Sequence, residues 1–511
     1  MREDRTGPGV PLSMNAAEFR KVGRRLVDRI ARHLEEVPRG PVTPGGSPQE
    51  VREALGATRD LPADGMAVAE LVEETVELLL ENSLFNGHPR FFGYITSSPA
   101  PVGALADLLA SAVNPNVGGW TLAPMATEME AQTIRWLAQL IGFPEDCGGI
   151  LVSGGNVANY VGFLAARAEA GESWRIRERG LAGHGAESLR VYCSPETHTW
   201  IEKAADLFGI GTDSVRLIET DRSLRMAPRA LAHAVAEDRG AGLRPFLVVG
   251  TAGSTSTGVV DPLEEMADFC RDDGLWLHVD AAYGGFAAKV PGTPPDLRAL
   301  SRADSVAVDP HKWLYFPLEA GCALVRRPET MREAFSYHPP YYHFGVEATN
   351  YVDFGPQNSR GFRALKVWMG LRQVGQAGCL RMIGDDIDLA RHLHSLVEET
   401  PDLEAMAQGL SISVFRYVPA ELEDRAGNPE VREYLNDLNQ EIQDRMERGG
   451  EAFLSNAVVR GVYGLRACIV NFNTTVADVE ALPEIVLRIG GEIHRERTGE
   501  PSGAISLHSA G

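Results

Sequence analysis

The sequence has little that would staple the chain or tether it to a membrane or a nucleic acid. Its six cysteines (Cys147, Cys193, Cys270, Cys322, Cys379 and Cys468) are scattered over 511 residues with no Cys-x-x-Cys pair. Such spacing gives no disulfide framework, and the thiols read as the reduced cysteines of a cytoplasmic protein. Long hydrophobic runs are missing too. The most apolar window, 102–113, carries Asp107 and falls short of the roughly 18–20 residues that span a bilayer. The first eleven residues mix charges of both signs and have no apolar centre, so they are not a signal peptide. Positive charge is scarce: 49 Lys and Arg stand against 70 Asp and Glu, a net charge of −21, and no basic block offsets it. That balance repels phosphate backbones and anionic lipid, so neither nucleic acid nor membrane is expected as a partner. His392 and His394 form the closest histidine pair, but two residues apart on a helix they point to different faces, and no metal site is expected.

What remains is an ordinary enzyme-like composition, 44% hydrophobic and 23% charged, in a chain long enough for two or three structural units. Phe19, Val22, Leu26, Ile30 and Leu34 recur at helical spacing, with Asn15 placed to cap the start. The Pro/Gly-rich stretch 38–48 isolates that helix, so its apolar stripe predicts docking on a partner subunit. From about residue 90 to 380, short apolar runs at 149–153, 189–193, 244–250, 275–280 and 305–308 alternate with helical patterns at 156–170, 199–208, 230–237 and 263–273. This rhythm predicts a large α/β unit with a mainly parallel sheet covered on both faces. The rhythm then changes. A helix at 387–398, an alternating strand at 410–417, a polar helix at 430–447, strands at 457–462 and 465–472, and a helix near 476–489 predict a small α+β unit with a half-solvated sheet. The expected divisions are 1–88 (helical, dimer-packing), 89–384, 385–494 and a mobile tail, 495–511.

In an open parallel sheet, ligands bind at the carboxyl ends of strands. Three predicted strand ends carry suggestive residues. Gly149-Ile-Leu-Val-Ser-Gly-Gly-Asn156 runs into a helix, where backbone N–H groups and the helix dipole suit a phosphate, although Gly-Gly also serves as a plain tight turn. Trp276-Leu-His-Val-Asp-Ala-Ala-Tyr283 brings Asp280 to a strand end, as a helix cap or as a buried carboxylate held ionised by a cation. Asp304-Ser-Val-Ala-Val-Asp-Pro-His-Lys-Trp313 breaks at Pro310 and presents His311 and Lys312. Lys312 is either a surface lysine or an amine whose pKa desolvation depresses, making it a nucleophile toward carbonyls. Together a phosphate nest, a carboxylate and an amine are what pyridoxal 5′-phosphate demands: a phosphate site, a partner for the ring nitrogen and a Schiff-base lysine.

These segments resemble the group II pyridoxal-phosphate-dependent amino-acid decarboxylases, the family that includes aromatic L-amino-acid decarboxylase. The matching pieces are His88-Pro-Arg-Phe-Phe92, Thr127-Glu-Met-Glu130, Cys193-Ser-Pro-Glu-Thr-His198, His278-Val-Asp-Ala-Ala-Tyr-Gly-Gly285, Asp309-Pro-His-Lys-Trp313 and Phe362-Arg-Ala-Leu-Lys-Val-Trp368, in the family's order over residues 80–380. The resemblance implies a fold-type I transferase architecture and a homodimer with shared active sites. It implies that Lys312 forms the Schiff base, that Asp280 pairs with the pyridine nitrogen, and that Ala282 and His198 pack on the two ring faces. Gly155, Asn156 and His311 would hold the phosphate, with Thr255 near the ring substituents. Tyr341, on a mobile loop, would protonate the substrate carbon after carbon dioxide leaves a quinonoid intermediate. The implied reaction is decarboxylation of an L-amino acid, first of all an aromatic one. Tyr94 and Trp120 are expected near the substrate, and Arg360 is the candidate arginine for its carboxylate.

Some positions depart from the family's pattern. Tyr94-Ile95-Thr96 and Val117-Gly118-Gly119 replace aromatic walls, and Asp309 stands where many relatives have asparagine. The lost aromatic walls leave open a non-aromatic substrate. An oxygen-dependent aldehyde-forming outcome, against which Tyr341 speaks, and transamination, for which Arg360 is the candidate arginine, are the alternatives on the same cofactor.

Overall fold

The computed structural model describes residues 12–172, 175–181, 188–338 and 348–499. Apolar runs without alternation cannot leave one face to water, and the central strands are such runs. β1 (Gly148–Val152), β2 (Leu189–Cys193), β3 (Val215–Leu217), β4 (Arg244–Thr251), β5 (Trp276–Asp280), β6 (Ser305–Val308) and β7 (Gly321–Val325) form one sheet in the order β1-β7-β6-β5-β4-β2-β3. The run from β3 to β6 is parallel, whereas β7 lies antiparallel to both β6 and β1. β1, β5, β6 and β7 are buried throughout. All five expected strands are present within two residues of their predicted ends. β3 and β7 were not expected: the first is three residues long, and the second, Gly321-Cys-Ala-Leu-Val325, is a five-residue run that follows closely on the Lys312 turn.

β8 (Leu403–Gly409), β9 (Ile412–Tyr417), β10 (Ser455–Val459) and β11 (Val462–Cys468) build a second, antiparallel sheet in the order β10-β11-β9-β8. The expected half-solvated sheet holds only at its edges. Every residue of β9 is buried, because the 91–94 segment and the large unit cover the face left by the helices. Thus the Cys468 N–H donates to Phe92 O, and the Phe92 N–H to Phe453 O. Two expected boundaries also shift. The helix Ala364–Glu399 runs through the division placed at 384/385, bending at Gly375 (φ 68°), and the last helix, Val476–Thr498, passes 494.

At the N-terminal side, Asn15 caps the helix Ala16–Glu36 by accepting from the Ala17 and Glu18 N–H groups. The Pro/Gly-rich stretch does not hang free. Val42 is buried against Phe91 and Phe453, and its N–H donates to Gly450 O. The helix itself leaves Phe19, Val27, Ile30 and Leu34 exposed.

Candidate active site

Parallel pairing sets the polar side chains level at one edge of the large sheet. Thr251 pairs with Asp280, and Asp280 with Ala307. At the same edge β1 passes through Ser153 and Gly154 into the helix Gly155–Gly171, and β2 leads through Cys193 to His198. β6 leads through Asp309 into the turn Pro310–Trp313, which carries His311 and Lys312. These segments line one cavity of about 340 Å³. Gly155, Asn156, His198, Thr255, Asp280, Ala282, His311 and Lys312, the residues predicted for the cofactor, all face it. Close packing enforces glycine at its floor: a Cβ on Gly155 would lie 2.7 Å from Asp309 Oδ2, and Gly154 adopts φ 148°.

Asp280 is fully enclosed. Its Oδ1 accepts from the Ala282 N–H (3.1 Å) and its Oδ2 from Asn159 Nδ2 (3.1 Å). Burial pushes its carboxyl up, and the Lys312 ammonium, the Ala282 N–H and His198 draw it back. Behind Asn159 runs a chain with a single consistent direction. The Trp276 Nε1–H donates to Ser305 Oγ (2.8 Å), the Ser305 hydroxyl to His278 Nδ1 (2.8 Å), and the His278 Nε2–H to Asn159 Oδ1 (2.8 Å). This leaves the Asn159 amide able only to donate to Asp280. Burial lowers the His278 pKa to about 3, so the imidazole is neutral, as the chain requires. A Cβ on Gly162 would stand 2.5 Å from His278 Nδ1, so glycine there admits the ring. None of this chain beyond Asp280 was assigned a role from sequence, although Asn159 follows Asn156 at helical i,i+3 spacing, the one signal that could have found it.

Lys312 corrects an expectation. Burial alone lowers its pKa, as predicted, but the carboxylates of Asp309 (Nζ to Oδ2, 3.0 Å) and Asp280 outweigh that and hold the ammonium above its usual range. The amine therefore becomes nucleophilic when its anionic neighbours find other partners, not through desolvation. Burial lowers the pKa of His198, leaving it a neutral proton acceptor. His311 Nδ1 lies 2.7 Å from Ala320 O and donates to it, which turns Nε2 toward Asp309 Oδ2, 3.8 Å away.

The three predicted substrate residues are not brought to this cavity. Arg360 is buried and committed elsewhere. It pairs with the fully buried Glu130, donates to Val117 O (3.0 Å) and Leu151 O (2.6 Å), and lies over the Tyr351 ring. Both Nη groups are spent on these partners, and Nε, which has none among the described residues, is buried away from the cavity, so the structure does not bring this arginine to a substrate carboxylate there. Its partner Glu130 explains the Thr127-Glu-Met-Glu130 motif as structural. Trp120 donates through Nε1 to Glu128, and Tyr94, at φ 51° and exposed, packs near Phe453. Neither lines the cavity, whereas Ile95 does. Tyr341 lies outside the described residues.

An amine, a carboxylate set for a ring nitrogen and a glycine-floored helix start in one chamber define the class: an α/β enzyme built around pyridoxal phosphate. Comparison with known proteins refines this. Residues 48–418 match the pyridoxal-dependent decarboxylase conserved domain. An aromatic-L-amino-acid decarboxylase of Bacillus atrophaeus is 32% identical over 94% of this chain and 96% of its own length. A phenylacetaldehyde synthase of a Rosa hybrid cultivar is 27% identical over 89% of this chain and 91% of its own. The crystal structure of Oryza sativa TDC with PLP and tryptamine superposes with a TM-score of 0.87 at 28% identity, covering 95% of this chain and 99% of that one. The chain belongs to the pyridoxal-dependent decarboxylase family. It is a fold-type I enzyme, its cofactor is pyridoxal 5′-phosphate, and its reaction is decarboxylation of an amino acid.

Proposed function

We propose that the substrate is an aromatic L-amino acid, converted to the corresponding amine and carbon dioxide by a cytoplasmic homodimer. The observation that carries the catalytic reading is the convergence of Lys312, Asp280 and His198 on one cavity. The aromatic choice is supported by the aromatic-L-amino-acid decarboxylase similar over nearly the whole chain, with Ile95 as the apolar wall that the chain itself supplies. The six unpaired cysteines support a reducing compartment. Among the described residues no helix is long and apolar enough to cross a membrane.

The residues fit the cofactor. Gly154, Gly155 and Asn156 would receive the phosphate on N–H groups at a helix start, with His311 beside it. Ala282 and His198 would enclose the ring. When bound, pyridoxal phosphate supplies an aldehyde for covalent attachment and a ring that accepts the electron pair released as the bond to the carboxylate breaks. Asp280 would face the ring nitrogen and hold a proton there, aimed by the Asn159–His278–Ser305 chain. Lys312 would be the amine that holds the cofactor through its aldehyde. The neutral His198 imidazole holds or passes a proton beside the reacting carbon, and Tyr341 delivers one to it. The walls orient the scissile bond across the ring plane, which is their main contribution to rate.

Purified protein supplied with cofactor should show a visible absorbance band that borohydride abolishes. It should release amine and carbon dioxide in equal amounts from one aromatic amino acid. Lys312→Ala should lose the band and about 10²–10⁴-fold of the activity. Aldehyde with hydrogen peroxide in place of amine would move the enzyme to oxidative deamination, and a keto acid would move it to transamination. Turnover restricted to acidic or aliphatic amino acids would refute the aromatic choice.

A further inference from the structure

Asp309 stands apart from the rest of the site. Both carboxylate oxygens are buried and, outside the ion pair with Lys312, accept no hydrogen bond among the described residues. The side chain lines the same wall as Gly154, Gly155, Asn156 and His311, and Oδ2 presses so closely on the helix start that a Cβ at Gly155 would meet it. A carboxylate and a phosphate dianion in one enclosed cradle repel each other strongly, since little water screens them. An asparagine here would donate an N–H instead.

The charges facing Asp309 do not remove the conflict. Lys312 neutralises it at 3.0 Å, but that nitrogen is the one the cofactor engages, so the ion pair is given up on loading. His311 Nε2 stands 3.8 Å away, and burial lowers the pKa of that imidazole. From β2 comes His198, also lowered by burial. From β5 comes Asp280, an anion occupied with Asn159 and Ala282. From β7 comes Cys322, whose thiol burial raises far above its usual range and so keeps neutral. No fixed cation among these groups remains to replace Lys312.

Building on the pyridoxal-phosphate reading, we propose that Asp309 and the cofactor phosphate share one proton in the loaded enzyme, supplied by solvent or by the Lys312 ammonium as that nitrogen engages the cofactor, so that cofactor binding weakens as pH rises relative to a chain without this carboxyl. The shared O–H gives the orphaned carboxyl its missing hydrogen bond, and only an O–H bond to that one proton is formed.

The test compares wild type with Asp309→Asn, which keeps shape and removes the titrating group. Phosphorus NMR of the loaded enzymes between about pH 6 and 9 should place the wild-type phosphate at the singly protonated position at the acid end, moving with pH. The variant's phosphate should stay at the dianion position throughout. Titration of the apo proteins should show wild-type affinity for pyridoxal phosphate falling relative to the variant by up to about tenfold per pH unit, the limit for one proton. Pyridoxal, which lacks the phosphate, should show no such difference, and its binding to the variant also reports an intact site. Identical phosphorus spectra and identical pH slopes in the two proteins overturn the inference while leaving the cofactor reading in place. Failure of both proteins to bind pyridoxal phosphate overturns the two together.

Discussion

Asp280 is a carboxylate whose pKa burial raises against the pull of Lys312, the Ala282 N–H and His198, and the side chains behind it fix how it is aimed. Asn159 can present its N–H₂ to Asp280 only because His278 has already taken its oxygen, and His278 is oriented by Ser305 and Trp276. A hydrogen bond to a charged group contributes about 1.5–3 kcal/mol. Asn159→Ala should therefore weaken cofactor binding by roughly ten- to a hundredfold. Asn159→Asp, which sets a second carboxylate against Asp280, should weaken it further. Equal losses in the two variants, measured by cofactor titration, would argue for mere packing. A second buried carboxylate, Asp386, accepts from Trp313 Nε1 (2.8 Å), at the end of the Lys312 turn, and from the Tyr315 hydroxyl (2.7 Å), two residues further on. Burial raises its pKa from 3.8 to about 7. Folded Asp386 thus keeps a proton that the unfolded chain gives up, so this group costs stability as pH rises through that window, up to about 4 kcal/mol. Asp386→Asn should melt higher than wild type at pH 8, with the gap shrinking toward pH 5. A gap independent of pH would contradict this. His278 works in the opposite sense: with its pKa lowered to about 3 from 6.5, its contribution is lost as pH falls through that range.

Among the elements, the helix Gly155–Gly171 does the most. Its first turn lines the cavity with Gly155 and Asn156, proposed to receive the phosphate, its second turn carries Asn159, and Gly162 lets His278 through. The strand ends that carry Asp280 and Lys312 were legible because apolar runs broke into polar residues at turns. β7 was not legible, since its antiparallel place between β1 and β6 depends on pairing with β1, a strand far back along the chain. The two sheets meet where the loop after β4 touches the β8–β9 turn. Gly258 has φ 74°, and a Cβ on it would lie 2.1 Å from Gly409 O. Gly258→Ala should cost at least the ~1–2 kcal/mol of the left-handed conformation, plus the shift of that backbone contact. Urea denaturation should show a lower midpoint, with reduced cofactor affinity because Gly253 and Thr255 lie on the same loop. An unchanged midpoint would show that the two units meet more loosely than the close approach of Gly258 to Gly409 implies.

Across the whole molecule, exposed apolar side chains gather on the N-terminal helix, at Phe19, Val27, Ile30 and Leu34, and on the helix Pro101–Val113, at Leu105, Leu108, Leu109 and Val113. Leu122 and Met125 extend the second group past Trp120. A second copy of the chain is the proposed cover, and it would bring the Trp120 segment to the subunit boundary. Light scattering at micromolar concentration should give twice the chain mass. Leu105→Glu with Leu109→Glu, one turn apart on the same face, should shift the protein toward monomer and lower its activity together. A wild-type monomer would refute the pairing.

Composition, strand-end polar residues and motif order determined by themselves the class of fold, the cofactor and a set of residues that meet in one cavity. Each of these is a local property: an apolar run, a turn and the side chain that follows it. The commitment of Arg360 to Glu130, the raised ammonium of Lys312, the directed chain behind Asp280 and the orphaned carboxyl of Asp309 were decided only by the tertiary structure. Charges and hydrogen-bond partners act over a few ångströms in space, and the fold alone says which of them, from 3 to 230 positions apart along the chain, end up within that distance.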